Sequence, residues 1–145
     1  MGRVRGDVTI RSFTERDGPA IARIQSNAPE ASSWDPRDYL NYECRVAVVD
    51  LEEIAGFIVA RLIAEGEWEI LNLAVAPGLR RHGIGRLLLH DILARHPGSF
   101  FLEVRESNAP ARLFYERLGF QVVTKRLQYY SNPEETAIVM KLYSC

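Results

Sequence analysis

Residues 71–93 read LNLAVAPGLRRHGIGRLLLHDIL. The apolar run at the start is stopped by Ala76-Pro77-Gly78, as a strand would be. Beyond it, apolar residues recur at Ile84, Leu87, Leu88 and Ile92, which is helical spacing. The junction is Arg80-Arg81-His82-Gly83-Ile84-Gly85, and no Asp or Glu occurs between positions 70 and 90. The first N–H groups of a helix have no internal partner, and the helix dipole adds partial positive charge there. Glycines let a bulky anion approach the backbone. With Arg80, Arg81, His82 and Arg86 around it, this junction suits a phosphate or pyrophosphate. A glycine-rich turn with solvated arginines would use the same residues, so the junction alone leaves both readings open.

Two common phosphate motifs are excluded. A P-loop needs Gly-Lys-Ser/Thr, but Gly85 is followed by Arg86-Leu87. A dinucleotide fingerprint needs a third glycine where Leu88 stands, and the surrounding order of elements is wrong for a Rossmann half.

Working outward, residues 8–13 form a first strand, and Asp17 with Pro19 opens a short helix bearing Ile21 and Ile24 on one face. Pro36 opens a second short helix. Residues 45–49 and 54–63 make a hairpin, and 68–75 form the strand that enters the glycine junction. After the helix beginning at Ile84 come a strand at 100–105, a helix capped by Ser107-Asn108 and closed by Gly119, and last strands at 120–127 and 137–142. The expected class is α+β, with a mixed central sheet of six or seven strands flanked by about four helices. Two helices following two strands in the second half imply some parallel pairing.

The chain's 145 residues, 47% of them hydrophobic, suit one domain spanning 1–145 with one core. A net charge of −1 gives no global attraction to nucleic acid or to an anionic membrane, and neither is expected as a partner. There is no apolar run of membrane-spanning length and no secretory h-region at the start. Cys44 and Cys145 lack metal-ligand spacing and read as free thiols of a reducing compartment, so a cytoplasmic location and no metal are expected.

Three side chains carry candidate chemistry. Glu103 lies on a strand between Leu102 and Val104; it fits an ion pair with Arg105 or another arginine, or a partly desolvated carboxylate able to take a proton. Tyr115 shares a helix face with Ala111 and Leu118, which is the placing of a core tyrosine whose hydroxyl remains available. Asn108 fits a helix N-cap.

Arg80-x-x-Gly83-x-Gly85, between an apolar strand and an amphipathic helix, resembles the signature of the GNAT acetyltransferase superfamily. The blocks LNLAVAP, FLEVRESNAPARLFYERLGF and YYSNPEETAIVMKL resemble, more narrowly, its ribosomal-protein-alanine N-acetyltransferase (RimI) branch, from Trp68 onward. The resemblance implies an enzyme that moves acetyl from acetyl-CoA to a primary amine by direct attack in a ternary complex. It implies a pyrophosphate held by the backbone amides of Arg81, His82, Gly83, Ile84, Gly85 and Arg86, and a pantetheine arm along Leu73, Ala74 and Val75. Glu103 would be the base and Tyr115 the acid on the leaving thiolate, while Asn108 would also face the cofactor and a backbone amide near Val75 would stabilise the oxyanion.

The acceptor implied by the branch is a protein N-terminus, with a ribosomal protein as the expected partner. Trp34, Tyr129 and Tyr130 fall where this fold flanks its acceptor groove, in loops; Glu134 and Glu135 could draw in a cationic N-terminus or be solvated turn charges. The branch often has Pro-Trp where this chain has Ser33-Trp34, which bears on the groove's shape. A small-molecule amine acetyltransferase and a non-catalytic acyl-CoA-binding module are the alternatives.

Overall fold

The structure, a computed structural model, describes residues 8–27, 35–50, 52–80, 82–131 and 134–144. Trp34, Arg81 and Cys145 lie outside the described residues. In chain order the elements are β1 (Val8–Ser12), α1 (Gly18–Ser26), β2 (Glu43–Val49), β3 (Glu53–Ala64), β4 (Glu67–Val75), α2 (Ile84–Arg95), β5 (Gly98–Arg105), α3 (Ala109–Arg117), β6 (Gln121–Tyr130) and β7 (Glu135–Ser144). Short 3-10 turns at Glu15–Asp17, Pro36–Asn41 and Pro77–Leu79 complete them, so the short helix expected at Pro36 is a 3-10 turn.

The strands form one seven-stranded sheet in the order β1-β2-β3-β4-β5-β7-β6. Every neighbouring pair is antiparallel except β4 with β5, the parallel pairing that the strand–helix–strand order implies. The second such unit, β5-α3-β6, gives no adjacent parallel pair. The last strand, β7, inserts between β5 and β6 and is antiparallel to both.

The sheet is covered on two faces by different elements. On one face, Ile84, Leu88, Leu89 and Ile92 of α2 and Tyr115 of α3 pack on Ile58, Ile70, Phe100, Leu102, Val104, Ile138 and Met140. On the other, Ile21 and Ile24 of α1 and Tyr39 cover Cys44, Val46, Phe57, Val59 and Ala74. Burial in that second cluster pushes the Cys44 thiol up to about 12. Among the described residues, the side of the sheet over β5, β7 and β6 carries no helix, and β6 is exposed along its length up to Tyr130.

Two polar clusters fix the helices. The buried Arg45 on β2 reaches α2 through Asp91 (Nε–Oδ2 2.9 Å) and β1 through the Ser12 hydroxyl (2.9 Å). A buried charge without its partner is costly, so this pair sets where α2 lies. On the opposite face, Gln25, Tyr39 and Asn72 bond to one another: the Asn72 amide donates to Gln25 Oε1 (3.1 Å) and to the Tyr39 hydroxyl (3.3 Å), which itself donates to Gln25. Asp17, read as a helix cap, instead accepts from Arg11 (2.8 Å) and from the Thr14 amide (2.8 Å). Burial by itself would raise its carboxyl, and these bonds outweigh that and hold it below the usual range.

A close approach requires glycine at position 56. A Cβ there would lie 2.7 Å from the Ala74 carbonyl oxygen and 3.3 Å from Leu88 Cδ1. Gly56→Ala is therefore expected to force β3 from β4 and to destabilise the fold by about 1–3 kcal/mol, the usual cost of overpacking. Denaturant unfolding of the purified variant checks it.

Candidate active site

The ladder between β4 and β5 is short. It joins Glu67, Trp68 and Glu69 to Ser99, Phe100 and Phe101 and then ends. From there β4 stays with β3, through Val75 opposite Gly56, and β5 stays with β7, through Arg105 opposite Ala137. The parallel strands part, and among the described residues the outer half of β4, including Leu73, Ala74 and Val75, keeps one side without a strand neighbour.

A register shift opposite Val59 and Ala60 inserts Leu71 as an extra residue of β4. Ile70 and Leu73 thus pack on the same core, a phase change that strict alternation could not give. The Asn72 side chain accepts from the Leu73 amide (3.0 Å), securing the bulge.

The glycine junction lies at the open end of this gap. Gly83 is the N-cap of α2 with φ +80°, and no side chain caps the helix. That left-handed backbone, rather than crowding, requires glycine, since a Cβ at Gly83 would meet nothing within 4 Å. The first amides of α2, on Ile84, Gly85 and Arg86, are therefore left for an external acceptor. Gly85 packs beneath Phe114, whose Cζ would lie 3.5 Å from an added Cβ. His82 and Arg86 are exposed. Arg80 is engaged by the protein itself. It donates to the Val75 carbonyl (3.1 Å) and to the Asn27 carbonyl (3.0 Å), pinning the root of the loop to β4 and to the end of α1. Uncapped amides, flanking cations and a strand edge without a neighbour fit a nucleotide pyrophosphate with an extended arm.

Glu103 and Tyr115 lie on opposite faces of the sheet. Leu102 and Val104 lie in the α2/α3 core, so alternation turns Glu103 to the helix-free face. Its carboxylate is paired, but not with neighbouring Arg105: Arg126 on β6 donates from Nη1 at 2.9 Å. Tyr115 is buried edge-on to Phe114 (5.1 Å) and Phe120 (5.4 Å), and burial raises its phenol well above the ordinary value, keeping it protonated. Its hydroxyl has no hydrogen bond among the described residues, and 8% of the residue stays exposed. Asn108 caps α3, accepting from the Ala111 amide (3.1 Å).

Beside Glu103 lies an open cavity of about 440 Å³, lined by Arg61, Ile63, Glu69, Phe101, Glu103, Thr124, Arg126, Tyr129 and Val139 among others. Tyr129 and Tyr130, expected in a loop, are the last residues of β6, beyond a bulge in which Gln128 has φ +55°. The Arg105 guanidinium sits 4.4 Å from the Tyr130 ring centre, and that of Arg126 sits 5.0 Å from Tyr129. Burial, reinforced by the charge of Glu103, pushes the Tyr130 phenol up to about 12. Glu135 does not project as a free attractant: it accepts from the Ser107 amide and pairs with Arg105, and these bonds hold its carboxyl below the usual range.

Sequence reasoning missed Arg126, Arg61 and Glu69. The available signal was the i, i+2 pairing of Arg61 with Ile63, Phe101 with Glu103 and Thr124 with Arg126, each pair lying along one strand face. Only strand order shows that these faces adjoin.

The acetyltransferase (GNAT) family matches residues 11–120, and the chain belongs to it. It is an acetyl-CoA-dependent N-acetyltransferase of that family. It is 33% identical to the [Ribosomal protein bS18]-alanine N-acetyltransferase of Escherichia coli K12, with 92% of this chain and 96% of that protein covered. The crystal structure of the Escherichia coli ribosomal-protein-S18-alanine N-acetyltransferase superposes with a TM-score of 0.80 at 30% identity, covering 94% of each chain. Ard1 from Thermoplasma volcanium superposes with a TM-score of 0.84 at 27% identity, covering 95% of this chain and 98% of that one.

Gly83→Glu is expected to weaken CoA binding by more than tenfold beyond the effect of Gly83→Ala, which imposes the same backbone strain without the charge. Calorimetric titration of CoA into both folded variants measures the difference; equal affinities would remove the loop as the pyrophosphate site.

Proposed function

We propose that this chain acetylates the N-terminal α-amine of a protein, with an N-terminal alanine of a ribosomal protein as the first candidate. The observation that carries this reading is the 33% identity, over 92% of the chain, to an enzyme named for such an alanine. A ribosomal acceptor would place the reaction in the cytoplasm.

Acetyl-CoA, when bound, supplies an activated thioester. The residues to hold it are the amides of Arg81, His82, Gly83, Ile84, Gly85 and Arg86 at the pyrophosphate and Leu73, Ala74 and Val75 along the pantetheine, with Asn108 beside them. Glu103 takes a proton from the acceptor ammonium and passes it to solvent. An α-amine, with a pKa near 8, asks less of this carboxylate than a lysine amine near 10.4. A backbone amide of outer β4, near Val75, faces the developing oxyanion. Tyr115, kept protonated by burial, delivers a proton to the departing thiolate. Tyr129 and Tyr130 border the groove by which an extended peptide reaches Glu103, and Trp34 is assigned to the same groove from sequence.

Tyr115→Phe should keep the fold and lower kcat by about 10²–10⁴-fold, with little change in the KM for acetyl-CoA. Steady-state kinetics beside a thermal melt tests this; a near-normal kcat makes Tyr115 a core residue only. Glu103→Gln should abolish the acidic limb of the kcat/KM profile.

Peptides beginning with Ala, Ser or Thr should be acetylated on the α-amine and not on lysine. Mass spectrometry of the products decides it. Label confined to lysine, or turnover of small amines alone, would replace this reading with a small-molecule acetyltransferase.

A further inference from the structure

The helix-free face holds an arrangement that proton transfer alone does not explain. Glu103, with a side chain 15% exposed, is paired at 2.9 Å with Arg126, whose side chain is 55% exposed. Both line the same cavity, and the Arg126 guanidinium also rests against Tyr129. The second charge pair in that cavity, Arg61 with Glu69, leaves it balanced. A cationic amine entering the groove finds the carboxylate it needs already occupied by a cation.

We propose that Arg126 is a placeholder counter-ion: it keeps Glu103 aimed into the groove, and keeps Tyr129 ordered beside it, until the acceptor ammonium takes its place. This rests on the reading of Glu103 as the base. An ion pair with an exposed partner contributes little, so an incoming ammonium can displace it. Arg126 then swings to water, where its exposed position lets it be solvated. The ammonium proton moves to Glu103, which becomes neutral and no longer holds a cation. Loss of that proton to solvent restores the carboxylate, and Arg126 closes on it again. Arg126 touches no reacting atom; it is a positioning residue that competes with the acceptor.

Competition and positioning separate in kinetics. Arg126→Met removes the competitor, so the KM for an alanine-starting peptide should fall, by at most about fivefold given the weakness of such pairs. The same change leaves Glu103 and Tyr129 loosely placed, so kcat should fall about tenfold. Arg126→Lys keeps the cation and should restore kcat to within about twofold of the original. In a Glu103→Gln background, where no carboxylate remains to be held, Arg126→Met should leave the peptide KM unchanged and lower kcat by much less than tenfold, through Tyr129 alone.

The experiment measures kcat and peptide KM for the wild-type chain, Arg126→Met, Arg126→Lys, Glu103→Gln and the Glu103→Gln/Arg126→Met double variant, with a thermal melt of each. An unchanged or raised KM in Arg126→Met, failure of lysine to restore kcat, or equal effects of Arg126→Met in both backgrounds overturns the placeholder while leaving a slow Glu103→Gln to support the base. A Glu103→Gln variant with wild-type rate overturns both. Arg126 is exposed on an edge strand, so its variants should melt with the parent.

Discussion

The parting of β4 from β5 is the constraint on which the rest of the structure depends. Three ladder pairs hold the strands at one end, and beyond Glu69 and Phe101 each turns to its other neighbour. A sheet normally closes such a gap, because a strand side without a partner leaves N–H and C=O groups unsatisfied. Here the gap is held open from both faces: the bulge at Leu71 and the Asn72 network secure one wall, and the packing of β7 against β5 secures the other. In the proposed reading, a peptide-like pantetheine arm pairs with this edge and its phosphates meet the uncapped start of α2.

In the proposed reading, the same parting lets two protein faces address one reaction. Tyr115 belongs to the apolar core under α3, where desolvation keeps its phenol protonated. Glu103 belongs to the open face, among Arg126, Tyr129 and the Arg61–Glu69 pair. The two lie on opposite faces of the sheet, so in the proposed reading they meet only through substrates lying in the gap. Arg105 with Tyr130 and Arg126 with Tyr129 tie the end of β6 to the open face, so the proposed acceptor side draws on residues distant in sequence from the glycine loop.

The sequence by itself determined the element order, the glycine loop and the chemistry-bearing residue types. Those features are local: helical spacing from Ile84, a left-handed glycine at the cap, proline at helix starts, and the strand alternation that turns Glu103 away from Leu102 and Val104. The family was legible for the same reason, since its blocks are contiguous stretches. Tertiary structure alone decided the partners. Glu103 pairs with Arg126 rather than Arg105 because β7 inserts between β5 and β6 and brings the faces of β5 and β6 together across it. Arg80 serves two carbonyls rather than standing free because the end of α1 comes beside the loop. Glu135 is consumed by Ser107 and Arg105, and the bulge at Leu71 shifts the phase of β4, because both answer to a strand or turn far along the chain. Spacing along a chain sets which way a side chain points; strand order and register set what it meets there.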